Sequence, residues 1–161
     1  MKIKKINSIT STIDAKLKAP PSKSYTHRAL FVAALANGKS KIIDPLISDD
    51  TNYTINCLKQ LGVKITEESI KEGIILHIDG SGGNLKEPTA SLYIGNSGTT
   101  LRFLMATASL VNGVVTIDGD EEVRKRPVKG LEDSLKRLGI AIDSNKGCPP
   151  VRISSKRDFG G

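Results

Sequence analysis

The sequence predicts an α/β (α+β) fold in which one βαβαββ unit occurs twice, and three observations point there. Two segments spell nearly the same text, CLKQLGVKI at 57–65 and SLKRLGIAI at 134–142, with Leu58 and Leu135 77 residues apart. Upstream, RALFVAALANGKSKIID at 28–44 pairs with RFLMATASLVNGVVTID at 102–118, the arginines 74 and the Asn-Gly pairs 75 residues apart. In both copies an amphipathic helical run meets a Gly stop and a short apolar strand follows. A period near 75 residues is too long for the familiar solenoids. It suits two packed units, each burying its helices against its own sheet.

Taken in order, KIKKINS (2–8) is the candidate opening strand of unit one, which occupies about 15–85. Its first helix follows the Pro20-Pro21 pair and ends at Asn37-Gly38, where a positive φ suits a C-terminal cap. The strand KSKIID comes next, and Asp49 and Asp50 then open a second helix as ordinary N-terminal residues. That helix stops at Leu61-Gly62, before VKITEES and the returning strand GIILHI (73–78). Unit two, about 90–155, opens with ASLYIG and passes through GNSGTT into a helix that ends at Asn112-Gly113. The strand VVTID leads to the loop DGDEEVRKRPVKG (118–130), a helix from about Val128, a strand after Leu138-Gly139, and PPVRI (149–153). After VRISSKRDFGG the chain stops at Gly161 without the helix a further unit would need. That reads as the end of a fragment.

Composition narrows the function classes. With 38% apolar and 25% charged residues and no Trp, the 161-residue chain reads as globular. No apolar run approaches the roughly 20 residues of a membrane span. MKIKKINSIT lacks the apolar core of a signal peptide, so a cytoplasmic location is expected. Cys57 and Cys148 have neither CxxC spacing nor a companion His cluster, which argues against a metal site or disulfide framework. A net charge of +7 calls for anionic partners. Aromatic residues, at 4%, are too few for a base-stacking platform. Small phosphorylated or carboxylated molecules fit better than nucleic acid.

Three basic loops carry the chemistry. Lys23 and Arg28 occupy the start of the first helix, where a positive charge opposes the macrodipole by about 0.3–1 kcal/mol. Something negative from outside the chain is expected there. The repeat predicts a counterpart before Arg102, and Asn96, Gly98 and Thr99 supply a Gly-rich helix start able to cradle an anion. Arg124, Lys125 and Arg126 cluster before Pro127, a residue suited to a first helical turn. The repeat aligns this third loop with the one holding Asp49 and Asp50. His27 and His77 have no evident partners and read as structural.

With these residues in view, PSKSYTHRAL, SDDT with LKQLGV, GNSGTTLRFL and RKRPVKGLEDSLKRLGI together resemble the EPSP synthase family across essentially the whole chain. The resemblance implies a fold of two domains, each with three βαβαββ units, and an active site in the cleft between them. It implies transfer of the enolpyruvyl group of phosphoenolpyruvate to the 5-hydroxyl of shikimate 3-phosphate, with release of phosphate, in the shikimate pathway of aromatic amino-acid biosynthesis. No cofactor or metal is implied, and the full-length protein is expected to be a cytoplasmic monomer that engages neither nucleic acid nor membrane.

By the same resemblance, Lys23 touches both substrates and Ser24 and Arg28 hold shikimate 3-phosphate. Gly98 and Arg126 hold phosphoenolpyruvate, with Asn96 and Thr99 shaping that loop. Asp50 matches an active-site acid, and Arg102 and Arg124 are secondary candidates. The resemblance further implies that a third unit and a second domain, with the general base and the remaining substrate-binding residues, lie outside this chain. By itself the chain is expected to be inactive. The alternatives are a UDP-sugar enolpyruvyl transferase and a non-catalytic module for small anions or nucleic acid. The related UDP-sugar enzymes carry a reactive loop cysteine, and neither Cys57 nor Cys148 lies in the corresponding place.

Overall fold

A computed structural model describes residues 3–5, 8–71 and 73–156. Residues 8–22 run without helix or strand and leave Ile9, Ile13 and Leu17 exposed. The expected opening strand KIKKINS does not form at residues 3–5 or 8, and its remaining positions lie outside the described residues. A strand needs a neighbour to satisfy its backbone, and no described strand pairs with these residues.

The first helix, α1 (Lys23–Leu35), begins where the Ser22 hydroxyl accepts a bond from the Tyr25 amide. It buries Thr26, His27, Leu30, Phe31, Ala33 and Ala34 on one side. Strand β1 (Asn37–Ile43) leads to α2 (Asp49–Gln60), which starts in a reciprocal capping box between Ser48 and Thr51. Strands β2 (Lys64–Ile70) and β3 (Gly73–Ser81) form a hairpin, and β3 also pairs antiparallel with β1. The three-stranded sheet therefore has the order β1-β3-β2, its last strand in the middle.

The second unit repeats this connectivity and adds one strand. Here β4 (Leu92–Tyr93) pairs parallel with β5 (Gly113–Asp118), and α3 (Gly98–Ala108) makes the crossover between them. A short 3-10 turn at Val123–Lys125 precedes α4 (Lys129–Arg137), β6 (Ala141–Asn145) and β7 (Cys148–Ser155). The sheet order is β4-β5-β7-β6. Gly62 and Gly139 follow their helices at φ 91° and 84°, the left-handed stop expected of both Leu-Gly pairs. The Asn-Gly pairs differ from expectation. Helix α1 ends at Leu35 and α3 at Ala108, so Gly38 and Gly113, at φ 110° and 146°, start strands instead of capping helices.

Helices α1, α2 and α3 pack against one another, and the sheets lie outside them. Along β3 only Leu76 and Ile78 turn fully inward, while β7 buries Val151 and Ile153 and exposes Arg152 between them. The core is continuous across both units, with Leu30, Leu58, Leu61, Leu101, Leu104, Met105, Ile117 and Ile153 almost completely buried. Phe31 of α1 stacks on Phe103 of α3, ring centroids 5.1 Å apart. That layering gathers the N-termini of α1, α2 and α3 into one region.

Candidate functional site

Two helices that begin with opposite charges form the first half of the site. Lys23 on the opening turn of α1 reaches across to Asp50 on the opening turn of α2, with Nζ 2.8 Å from Oδ2. One turn deeper, His27 Nδ1 lies 2.9 Å from Thr54 Oγ1. Both contacts join residues 27 apart, so α1 and α2 run parallel and these are successive rungs of one ladder. The outer rung keeps water contact, its side chains 49% and 30% exposed, while His27 and Thr54 are fully buried. Ser24 and Arg28, also on α1, are exposed, and their side chains make no hydrogen bond or ion pair among the described residues.

The second half is built on the start of α3. Gly95, at φ 54°, turns the chain sharply, and a Cβ there would fall 2.3 Å from the Tyr53 ring. The Ser97 hydroxyl caps α3 by accepting from the Thr100 amide. Arg126 reaches over this loop and donates from Nη2 to Asn96 Oδ1 at 2.7 Å. Its Nη1 sits so close to Gly98 that a Cβ there would fall 2.6 Å from it. Gly98, Thr99, Arg102, Phe103, Arg126 and Leu131 line an open cleft of about 590 Å³. Lys23, Ser24, Arg28 and Asp50 are not among its lining residues.

The clustered arginines do different things. Arg124 clamps Asp118 with two bonds, Nε to Oδ1 at 2.9 Å and Nη2 to Oδ2 at 2.6 Å. The hydrogen bonds from Arg124 hold the Asp118 carboxyl below the usual carboxylate range against a smaller effect of burial, and Asp118 in turn raises Arg124. That guanidinium is engaged within the fold. Arg102 folds back on its own helix to the Gly98 carbonyl at 3.1 Å and also reaches the Pro127 carbonyl of the third loop at 3.3 Å. Arg126 does not stand at a helix start as the sequence suggested. It follows the 3-10 turn and precedes α4 by three residues, its extended backbone (ψ 121°) directing it back towards Asn96.

Buried hydroxyls join the halves. Thr54 Oγ1 lies 2.8 Å from Thr100 Oγ1, and Thr100 Oγ1 lies 2.7 Å from Ser97 Oγ. Both threonine hydroxyls also come within 3.4 Å of the Asp50 carbonyl oxygen. Burial lowers the His27 pKa from its ordinary value, with nearby Asp50 opposing and Lys23 adding to the effect. His27 is thus structural in the sense expected, but it has a partner. Thr54, Thr100 and Ser97 were not singled out from sequence. Their signal was there to read, since Thr54 lies four residues before Leu58 and so on the inward stripe of α2.

Comparison with known proteins follows the same lines. The profile of the family described as EPSP synthase (3-phosphoshikimate 1-carboxyvinyltransferase) matches residues 7–161. A 3-phosphoshikimate 1-carboxyvinyltransferase of Methanothermobacter thermautotrophicus is 42% identical over 146 residues, 89% of this chain and 34% of the relative. That of Methanospirillum hungatei is 45% identical over 139 residues, 84% of this chain and 31% of the relative. The solved EPSP synthase of Acinetobacter baumannii superposes with a TM-score of 0.82 at 33% identity, over 91% of this chain and 33% of that one. The chain therefore spans about a third of the length of the relatives it matches.

Proposed function

The chain belongs to the EPSP synthase (3-phosphoshikimate 1-carboxyvinyltransferase) family, and from that premise we propose that it supplies part of a site that joins phosphoenolpyruvate to shikimate 3-phosphate. The observation that carries this reading is the pair of cationic groups at neighbouring helix starts, Lys23 with Asp50 and Arg126 over the Gly98 loop. Two polyanions brought together need positive charge on both flanks, fixed before they arrive. Arg126 and the Gly98 loop hold the phosphate of phosphoenolpyruvate, with Asn96 orienting the guanidinium and Thr99 shaping the loop. Ser24 and Arg28, free of other partners among the described residues, hold shikimate 3-phosphate.

Lys23 stands between the two substrates and Asp50 fixes its ammonium. In the reaction the 5-hydroxyl gives up its proton as its oxygen adds to the central carbon of phosphoenolpyruvate, while the methylene carbon gains a proton and becomes a methyl. The resulting tetrahedral intermediate then loses phosphate and a proton to give the enol ether. Charge-assisted bonds that orient the hydroxyl against that carbon account for the acceleration. Residues beyond this chain complete the site in this reading, and the protein works in the cytoplasm as a monomer without nucleic acid.

Titration of the 161-residue chain with inorganic phosphate and phosphoenolpyruvate tests the reading. Saturable binding should weaken about tenfold or more in Arg126→Met, since a charge-assisted bond contributes about 1.5–3 kcal/mol. The chain alone should form no product. Anion binding indifferent to Arg126, or turnover by this chain alone, would overturn the proposal.

A further inference from the structure

The ion pair Lys23–Asp50 and the Gly98 loop belong to different helices, different repeat units and different stretches of sequence. What ties them together is a single file of buried polar atoms from His27 through Thr54 and Thr100 to Ser97, each contact between 2.7 and 2.9 Å. All four residues have zero exposure. A file of hydroxyls inside an otherwise apolar helix layer costs stability wherever a bond is strained, and replacing one member by an apolar side chain leaves its buried neighbours, His27 Nδ1 among them, without a partner. We propose that His27, Thr54 and Thr100 are positioning residues that set the anion-binding Gly98 loop relative to Lys23 and Asp50. The inference rests on the family reading for what the loop binds, but not for the relay itself.

Proton bookkeeping gives the file a direction. His27 Nε2 is buried and has no hydrogen-bonding partner among the described residues. An orphaned N–H is rarer in buried structure than an orphaned acceptor, so Nδ1 carries the imidazole proton and donates to Thr54. Thr54, accepting from His27, keeps one proton to share with Thr100 or with the Asp50 carbonyl, and Thr100 Oγ1 in turn bonds Ser97 Oγ, which also accepts from the Thr100 amide at 3.3 Å. The file ends on the residue that caps α3 and precedes Gly98. Sideways, both threonines approach the backbone carbonyl of Asp50. A displacement of α2 therefore moves the Asp50 carboxylate and the Gly98 loop as one body, and Lys23 follows through its ion pair.

The experiment compares Thr54→Val with Thr54→Ser in the ¹⁵N-labelled 161-residue chain, with inorganic phosphate as the probe. The amides of Gly98 and Thr99 are followed before and during titration, and urea unfolding is recorded alongside. Thr54→Val, its substitution lying on another helix, should shift both amides and weaken phosphate binding by about threefold to tenfold. Thr54→Ser should restore both to within about twofold, even where stability is not restored. A purely structural threonine would lower the urea midpoint and leave the phosphate Kd of the folded protein unchanged, and that result overturns the proposal. Should Thr54→Val not fold, Thr100→Val against Thr100→Ser, which leaves His27 and Thr54 bonded to each other, carries the comparison on the phosphate Kd alone, because Thr100 adjoins Thr99. If the unmodified chain binds no phosphate, the family reading of the loop fails. The relay then stands or falls on whether the Gly98 and Thr99 amides respond to Thr54→Val and recover in Thr54→Ser.

Discussion

Gly98→Ala separates the anion site from the stability of the fold more cleanly than removal of any charge. The new methyl would lie 2.6 Å from Arg126 Nη1, 3.3 Å from Arg102 Nη1 and 3.4 Å from Arg126 Cδ. Comfortable separation needs 3.5–4.0 Å, so the Arg126 guanidinium must retreat by roughly an ångström. The obstacles are the ends of flexible side chains, and Gly98 has no positive φ, so the backbone has no reason to move. Alanine is also the better helix residue, by up to about 1 kcal/mol in a helix interior and less in a first turn. Arg126, however, holds Asn96 at 2.7 Å and cannot retreat that far without giving up that bond. With one charge-assisted contact to phosphate misplaced, the expected loss is about 1.5–3 kcal/mol, or roughly tenfold to a hundredfold in Kd. Calorimetric titration with phosphate and urea unfolding of the same samples should show weak binding at an unchanged or raised midpoint. In an Arg126→Met background, Gly98→Ala should cost nothing more. Equal losses with and without Arg126, or wild-type affinity in Gly98→Ala, would show that Arg126 does not read the Gly98 methyl in this way.

Other outcomes follow from the same structure. Gly80→Ala would place a methyl 2.3 Å from the Ala36 carbonyl oxygen and 2.7 Å from that of Ala33, both backbone atoms where α1 meets β3. Overpacking of about 1–3 kcal/mol or more is expected, readable as a lower urea midpoint with phosphate affinity preserved in the folded fraction. His27 is held neutral by burial, so the unfolded chain takes up a proton first as pH falls below the ordinary value of 6.5. Stability should be fully present above that pH and decline below it, by up to about 1.4 kcal/mol per unit until the folded protein also protonates. His27→Asn should flatten that part of the pH–stability curve, and an unchanged slope would contradict the assignment. Burial pushes the Cys57 thiol up to about 12, whereas Cys148 is partly exposed. A thiol reagent at pH 8 should therefore label Cys148 in the native protein and both cysteines in urea, and fast native labelling of Cys57 would show that α2 opens.

Much of the fold was legible because the helices end in matching signals. The two Leu-Gly stops and the two Asn-Gly strand starts punctuate the chain at nearly constant offset, and glycine is needed at each for a backbone reason. The position of β3 and β7 in the middle of their sheets was not legible. A hairpin predicts that β2 neighbours β3, but nothing local says on which side β1 will add. At the described positions of KIKKINS, residues 3–5 and 8, no strand forms for a related reason, since a sequence pattern says nothing of a neighbour's whereabouts. At the site, the repeat located the Gly98 loop from the Lys23 loop. It could not reveal that Lys23 is paired with Asp50, or that Arg124 is clamped by Asp118 whereas Arg126 turns to Asn96. Those pairings depend on side-chain directions fixed only when the helices pack. Thr54 and Thr100 escaped notice because threonine in a helix reads as neutral until its neighbours show which way it points.

Both sheets are closed within their own stretches of chain, the first from Asn37 to Ser81 and the second from Leu92 to Ser155, and among the described residues no ladder hydrogen bond crosses between them. What crosses is side-chain chemistry, including the apolar helix faces, the Tyr53–Tyr93 ring contact and the Thr54–Thr100 contact. Each stretch therefore carries its whole backbone architecture with it, whereas the fit between stretches lies in a few side chains that substitution can change. A molecule built this way can copy a unit and let the copies drift apart: the ladders are inherited intact, while the seam between them is where divergence is felt and where a binding surface is newly shaped.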